Sequence, residues 1–196
     1  MRLRRRQLRR GGRERGAARA VTAVRLRAGS PAATRAVGAA IAGVLRPGDV
    51  VLLSGELGAG KTTLVKGIVE ALGGGDCVTS PTFTLCHLYP TSPPVAHVDA
   101  WRMEQLGEAL DLALEEALDE GAVAVVEWGE ALAPLYGRGA LTVLMRPGES
   151  AECREIELRD DGSAGSWSGR LARLAAAVEP GIGGVGLAGA EGGVKP

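Results

Sequence analysis

The sequence predicts an α/β fold: a mostly parallel central sheet flanked by helices, with an antiparallel hairpin towards the C-terminal end. Three observations carry this. Short apolar runs at 50–53 and 122–126, suited to strands buried on both faces, alternate with amphipathic helical stripes. A glycine-rich loop at 55–60 joins the first of these runs directly to a helix. Two strand-like segments, 141–146 and 153–158, are joined through Pro147-Gly148 as a hairpin pair. With 196 residues, 45% apolar and 23% charged, the chain has the size and composition of one globular domain.

Each element has its own signal. Residues 21–27 alternate and read as a first strand. Ser30-Pro31 is a helix start, a capping hydroxyl followed by a proline at the first helical position. Val37, Ala40, Ile41, Val44 and Leu45 then share one helical face, and Pro47-Gly48-Asp49 ends the helix. After the 50–53 strand and its loop, a helix is expected from about Lys61 to Leu72. Its Leu64, Ile68 and Leu72 recur every four residues, and Gly73-Gly74-Gly75 terminates it. Residues 83–89 read as a strand, 90–94 as a turn, and Val95–Asp99 as a further strand. The stripe Leu106, Ala109, Leu110, Ala113, Leu114, Ala117, Leu118 predicts a helix, with the acids of 104–120 mainly off the stripe and Gly121 as its stop. Ser168–Val178 is a last amphipathic helix.

Charge divides the chain. Residues 1–20 hold nine arginines and one acid, a net +8, so the remainder carries −8. Such an arm is expected to be disordered or the product of an over-long gene start, with the domain at 21–178 and a glycine-rich disordered tail at 179–196. An acidic body argues against a broad nucleic-acid surface of its own. The arm lacks the apolar core of a secretory signal, and no apolar run reaches the roughly 18–20 residues that span a membrane. Three cysteines in no CxxC pair argue against a disulfide framework or zinc site and for the reducing cytoplasm.

The segment Gly55-Glu56-Leu57-Gly58-Ala59-Gly60-Lys61-Thr62, followed by Thr63, matches the phosphate-loop pattern GxxxxGK[ST]. A strand before it and a helix after it are the context that pattern requires. Gly55, Gly58 and Gly60 let successive backbone N–H groups face inward around phosphate oxygens, and the helix adds its positive end at the same point. Lys61 is suited to the β- and γ-phosphates and Thr62 to Mg²⁺. Two acids, Asp99 and Glu127, end strands where ligands gather in open α/β sheets, and either could organise the magnesium shell. Trp101 and Trp128 follow them closely; core filling is the commoner fate of an indole, packing a base or a partner the alternative.

The segments 55–63, Ser80-Pro81-Thr82-Phe83-Thr84-Leu85, His97-Val98-Asp99-Ala100-Trp101-Arg102 and Val126-Glu127-Trp128-Gly129-Glu130 occur in the order and spacing of the TsaE (YjeE) family. Over about 21–178 the chain resembles these small ATPases of bacterial tRNA threonylcarbamoyladenosine synthesis. It departs from the family at Ala100-Trp101, where Leu-Tyr is common, and at Gly129, where Pro is common. The resemblance implies a P-loop NTPase fold, ATP and Mg²⁺, and hydrolysis of ATP in support of a TsaD–TsaB pair. That pair forms N6-threonylcarbamoyladenosine at position 37 of tRNA, so tRNA is met indirectly. The resemblance also implies roles for single residues: Lys61 and Thr62 at phosphate and magnesium, Ser80 to Thr84 as a switch loop, and Asp99 and Glu127 as the acids needed for hydrolysis. Glu127 is assigned to magnesium and Asp99 to the attacking water or the outer shell of the metal.

Three rival readings have weaker support. A small-molecule kinase needs cations around the transferred phosphoryl group, and no Arg-rich lid follows the acidic helix. A GTPase switch needs an Asn-Lys-x-Asp reader, and the chain contains no asparagine. A binding module with a dead nucleotide site is disfavoured by the intact Lys61, Thr62, Asp99 and Glu127.

The arm generates a first prediction. Residues 1–20 offer no apolar stripe, and Gly11, Gly12 and Gly16 weaken any helix there. A protein beginning at Val21 should therefore keep its melting temperature and its magnesium-dependent ATPase activity. If the arm touches tRNA, each phosphate it neutralises steepens the salt dependence of binding by about 0.7–0.9 log units per log unit of salt. Melting curves and tRNA titrations across a salt series, on both proteins, check this.

Overall fold

Strand pairing gathers the apolar runs into one eight-stranded sheet. The computed structural model describes residues 23–75, 78, 79, 81, 86–101, 107–160, 167–178 and 184–187. Its strands are β1 (Ala23–Ala28), β2 (Val50–Ser54), β3 (Cys86–Tyr89), β4 (Val95–Asp99), β5 (Val123–Glu127), β6 (Leu141–Pro147), β7 (Arg154–Asp160) and β8 (Val185–Leu187). Its helices are α1 (Pro31–Ala42), α2 (Lys61–Ala71), α3 (Gly107–Asp119), α4 (Ala133–Tyr136) and α5 (Ser168–Val178), with a 3-10 turn at Gly129–Ala131. The spatial order is β3-β4-β5-β2-β6-β7-β1-β8.

The expected parallel core is formed by β4, β5, β2 and β6. The β6–β7 hairpin is also present. The antiparallel part is wider than that hairpin, because β3 pairs antiparallel on one side and β1 lies between β7 and β8 on the other. One expectation is corrected. The tail from 179 contributes a strand, β8, in which Val185 is buried and residues 185–187 pair with Ala28, Arg27 and Leu26. Without β8, β1 would present a row of unpaired N–H and C=O groups, so even a glycine-rich segment gains by pairing there. The arm, the Ser80 and Thr82–Leu85 positions, Arg102, and the rest of 179–196 apart from Gly184 lie outside the described residues.

Alternation assigns the faces. In β2, Val51 and Leu53 enter a large core with α1, α2 and α5, while Leu52 enters a smaller one with Leu114 of α3 and Leu132. In β5, Val123 and Val125 take the first side and Ala124 and Val126 the second. These strands are covered twice, which is why their sequences are continuously apolar. By contrast β1 alternates exposed and buried residues, and Arg25 and Arg27 take its uncovered side. Among the described residues no helix is long and apolar enough to cross a membrane.

Two devices fix the helices. Ser30 caps α1, its Oγ accepting from Ala33 N at 3.1 Å, with Pro31 opening the first turn. On α5, the buried Arg170 grips the Asp49 carboxylate with both Nη atoms, Nη2 at 3.1 Å from Oδ1, and lies 3.7 Å over the Trp167 ring. Asp49 precedes β2, so this pair ties the last helix to the strand that leads into the phosphate loop.

The helices α1 and α2 touch backbone to backbone. A Cβ on Gly67 would lie 2.1 Å from Arg35 O, and one on Gly38 would lie 2.3 Å from Leu64 O. Alanine at position 67 would gain about 1 kcal/mol of helix propensity, but it would force the two backbones apart. We expect Gly67→Ala to lose roughly 1–3 kcal/mol net, read as a lower denaturant midpoint, whereas Gly43→Ala, where the nearest atom is 3.6 Å away, should cost much less.

Candidate functional site

The end of β2 meets the start of α2 at the carboxyl edge of the parallel strands, where open α/β sheets bind ligands. Gly55 leaves the sheet against β6, so close that a Cβ would lie 2.4 Å from Met145 O. Gly60 is the N-cap of α2 at φ 97° and carries no side chain to cap it. The first-turn amides of α2 therefore keep their donors, and the positive end of the helix, for an anion. Leu57, Gly58, Ala59, Gly60, Lys61, Thr62 and Thr63 line a cavity of about 420 Å³. Gly55 and Glu56 hold Lys61: its Nζ donates to Gly55 O at 2.7 Å and to Glu56 O at 3.0 Å.

The strand period brings the acids to the same cavity. Residues 95, 97, 99 and 123, 125, 127 fall on the sheet face that α2 covers, because side chains repeat every second position. The parallel register sets Asp99 directly beside Glu127. Both carboxylates line the cavity and both residues are buried. Glu127 Oε1 accepts from Thr62 Oγ1 at 2.7 Å and lies 3.0 Å from His97 Nε2. Asp99 Oδ1 accepts from Trp101 N at 3.1 Å.

Trp128 is the one non-glycine residue among those described with positive φ, at 60°. A bulky residue there is a strained outlier, and such strain gathers at functional sites. The next residue, Gly129, sits so close to β2 that a Cβ would lie 2.7 Å from Leu52 Cβ. The turn swings the Trp128 ring under Lys61, whose Nζ is 3.7 Å from the ring centroid, and Trp101 lies against Trp128 at 4.2 Å. Trp101 is 59% exposed, so it lines the mouth rather than filling the core. Burial pushes the pKa of Lys61 down, and the negative charges of Glu127, Glu130 and Asp99 pull the other way without cancelling it.

All the residues named from the sequence at 55–63, 99 and 127 thus come together. Of the expected switch loop only Pro81 is described. Three more residues of the site have no assignment in the sequence. His97 is fully buried behind Glu127. Glu130 Oε2 accepts from Ser54 Oγ at 2.7 Å. Arg154 lines the cavity from β7 and donates to Gly58 O and Ala59 O. The first two lie inside segments whose spacing was informative, but Arg154 is 95 residues from Ala59 and no local pattern connects them. A second hollow of about 330 Å³ lies on the uncovered sheet face, lined by Arg25, Arg146, Glu155 and Glu157 among others. Arg25 pairs with Glu157 there, so it presents no convergent charge of one sign.

Comparison with known proteins follows the same lines. The family model described as threonylcarbamoyl adenosine biosynthesis protein TsaE matches residues 28–156. The tRNA threonylcarbamoyladenosine biosynthesis protein TsaE of Streptomyces coelicolor is 51% identical over 100 residues, covering 49% of this chain and 67% of that protein. The protein of that name from Bacillus subtilis is 38% identical over 128 residues, covering 65% and 79%. The crystal structure of Bacillus subtilis YdiB superposes with a TM-score of 0.59 at 31% identity, over 79% of this chain and 92% of that one. With a family model matched over more than half its length, and the phosphate loop and both strand-end acids inside that match, the chain belongs to the TsaE family.

Proposed function

We propose that this chain is an ATP-binding, magnesium-dependent ATPase that supports a TsaD–TsaB pair in forming N6-threonylcarbamoyladenosine at position 37 of tRNA. Threonylcarbamoyladenosine biosynthesis is the process its family is named for. The observation that carries the ATPase reading is convergence. An uncapped helix start, an ammonium, a hydroxyl and two carboxylates from three separate segments line one cavity. The TsaD and TsaB partners rest on the family resemblance.

The donor set suits a magnesium ion. Thr62 Oγ1 and Glu127 Oε1 are hard oxygen ligands 2.7 Å apart, and magnesium takes its other ligands from phosphate oxygens and water. Thr62 and Glu127 would hold the ion, which when bound neutralises phosphate charge and polarises the transferred phosphoryl group. The chain's own groups do the rest. The first-turn amides of α2 and Lys61 bind the phosphates. His97 and Thr62 fix the orientation of Glu127. Asp99, the neighbouring carboxylate, orients the attacking water or the outer shell of the metal. Trp128 walls Lys61 on one side and limits its contact with solvent.

Two predictions follow from this division of labour. Lys61→Ala removes a charge-assisted contact to phosphate worth roughly 1.5–3 kcal/mol, so ATP affinity and turnover should both fall. Titration calorimetry and phosphate release measure these. Glu127→Gln keeps an oxygen acceptor for Thr62 and His97 but removes the charge, and Asp99→Asn does likewise at its site. Nucleotide binding should persist in both while hydrolysis drops far more, by on the order of a hundredfold. An unchanged turnover number in either variant removes that acid from the mechanism. For the wider role, the chain is co-purified with candidate TsaD and TsaB proteins with and without ATP, followed by phosphate release. Absence of any association in either condition would reject the partnership.

A further inference from the structure

We infer that Arg154 is a positioning residue: its guanidinium staples the phosphate loop to the β6–β7 hairpin and holds two loop peptides so that the turn stays closed and the Gly60 N–H faces the phosphate. This deepens the nucleotide reading of the same site and rests on it.

The geometry is specific. Arg154 opens β7 and reaches across to the loop. Its Nε donates to Ala59 O at 2.9 Å and its Nη2 to Gly58 O at 3.1 Å. Its Nη1 donates to Ala151 O and to Cys153 O, each at 2.7 Å. Four of the five donors of a guanidinium are thus committed to backbone carbonyls, two on each loop. Among the described residues Arg154 makes no ion pair, so the contact is one of shape and direction rather than of charge neutralisation. The hairpin is a firm anchor, since Gly148 N donates to Cys153 O at 2.9 Å and Cys153 N to Ser150 O at 3.1 Å.

Peptide planarity turns this into a statement about phosphate. In a trans peptide the C=O of one residue and the N–H of the next point in opposite directions. With Gly58 O held by Arg154, the Ala59 N–H points the other way, where it donates to Glu56 O at 3.1 Å and closes the loop. With Ala59 O held, the Gly60 N–H is turned away from Arg154 at the mouth of α2. The braced peptides are joined to the chain by Gly58 at φ 78° and Gly60 at φ 97°, joints at which a glycine rotates with little steric resistance. The loop therefore needs an outside restraint if its donors are to be in place before the nucleotide arrives, and Arg154 supplies it. Preorganisation of this kind acts on binding of the ground state, not on the reacting atoms, which lie with Asp99 and Glu127.

The test uses the full chain with Arg154→Ala and Arg154→Lys. It measures dissociation constants for ATP and ADP, KM and kcat for phosphate release, and amide hydrogen exchange of residues 56–61 without nucleotide. We expect faster exchange in that segment, dissociation constants and KM raised about tenfold for both nucleotides, and kcat within about threefold of wild type. Lysine should recover little of the loss, because one ammonium cannot span four carbonyls on two loops. Full recovery by Arg154→Lys would show that charge alone matters and overturn the proposal. Unchanged affinity and exchange in Arg154→Ala would overturn it too, as would a fall in kcat at constant KM. If Arg154→Ala does not fold, the lysine variant carries the same comparison. A wild-type chain that binds no nucleotide would reject the ATPase reading, while the exchange comparison would still decide whether Arg154 braces the loop.

Discussion

The parallel pairing of β2 with β5 is the constraint on which the site depends. Its register sets Leu53 opposite Glu127, so the strand that feeds the phosphate loop and the strand that carries the acid end at the same level. The loop can then turn back over the sheet edge and deliver Thr62 to within hydrogen-bonding distance of Glu127. A slip of one residue would send Glu127 to the face covered by α3 and leave Thr62 without its partner. The close seat of α2 on α1, the grip of Arg170 on Asp49 and the double covering of β2 all serve to keep that register and the helix start where they are.

Much of this was legible in the chain itself. The phosphate loop is local: its glycines, lysine and threonine are contiguous, and an apolar strand and an amphipathic helix flank it. The strand-end acids were legible because buried parallel strands are apolar up to the residue that meets solvent or ligand, and Asp99 and Glu127 stand at that residue. What could not be read was anything set by pairing between distant segments. Nothing in the sequence says that Asp99 lies beside Glu127, that β1 enters between β7 and β8, or that Arg154 reaches the loop. The glycine content of 179–196 spoke for disorder, yet Val185 to Leu187 found a strand edge in need of partners. Propensity describes a segment in isolation, and an open edge overrides it.

The site is also where the chain departs from low-energy local choices. Trp128 has a left-handed backbone, Lys61 is buried, and His97 is enclosed with no partner for its Nδ1 among the described residues. Each is unfavourable by itself. Together they place an aromatic wall under the ammonium and a rigid imidazole behind the carboxylate, so that the polar groups of the cavity are constrained before a ligand enters. A surface loop with the same residues in relaxed conformations would spend binding free energy on ordering them.

The position of β1 bears on how the chain can fold as it is made. The strand at 23–28 has as its neighbours the strands at 154–160 and 185–187. During synthesis it emerges early and stays without a hydrogen-bonding partner until nearly the whole domain has been released. The parallel core from β2 to β6 can pair before that point, whereas closing the flank requires contacts between strands far apart in the sequence, which are slow to form because of that separation. Assembly of this sheet thus ends at the first of its described strands to be made, and a nascent chain stalled before residue 154 would expose both edges of β1 to other chains.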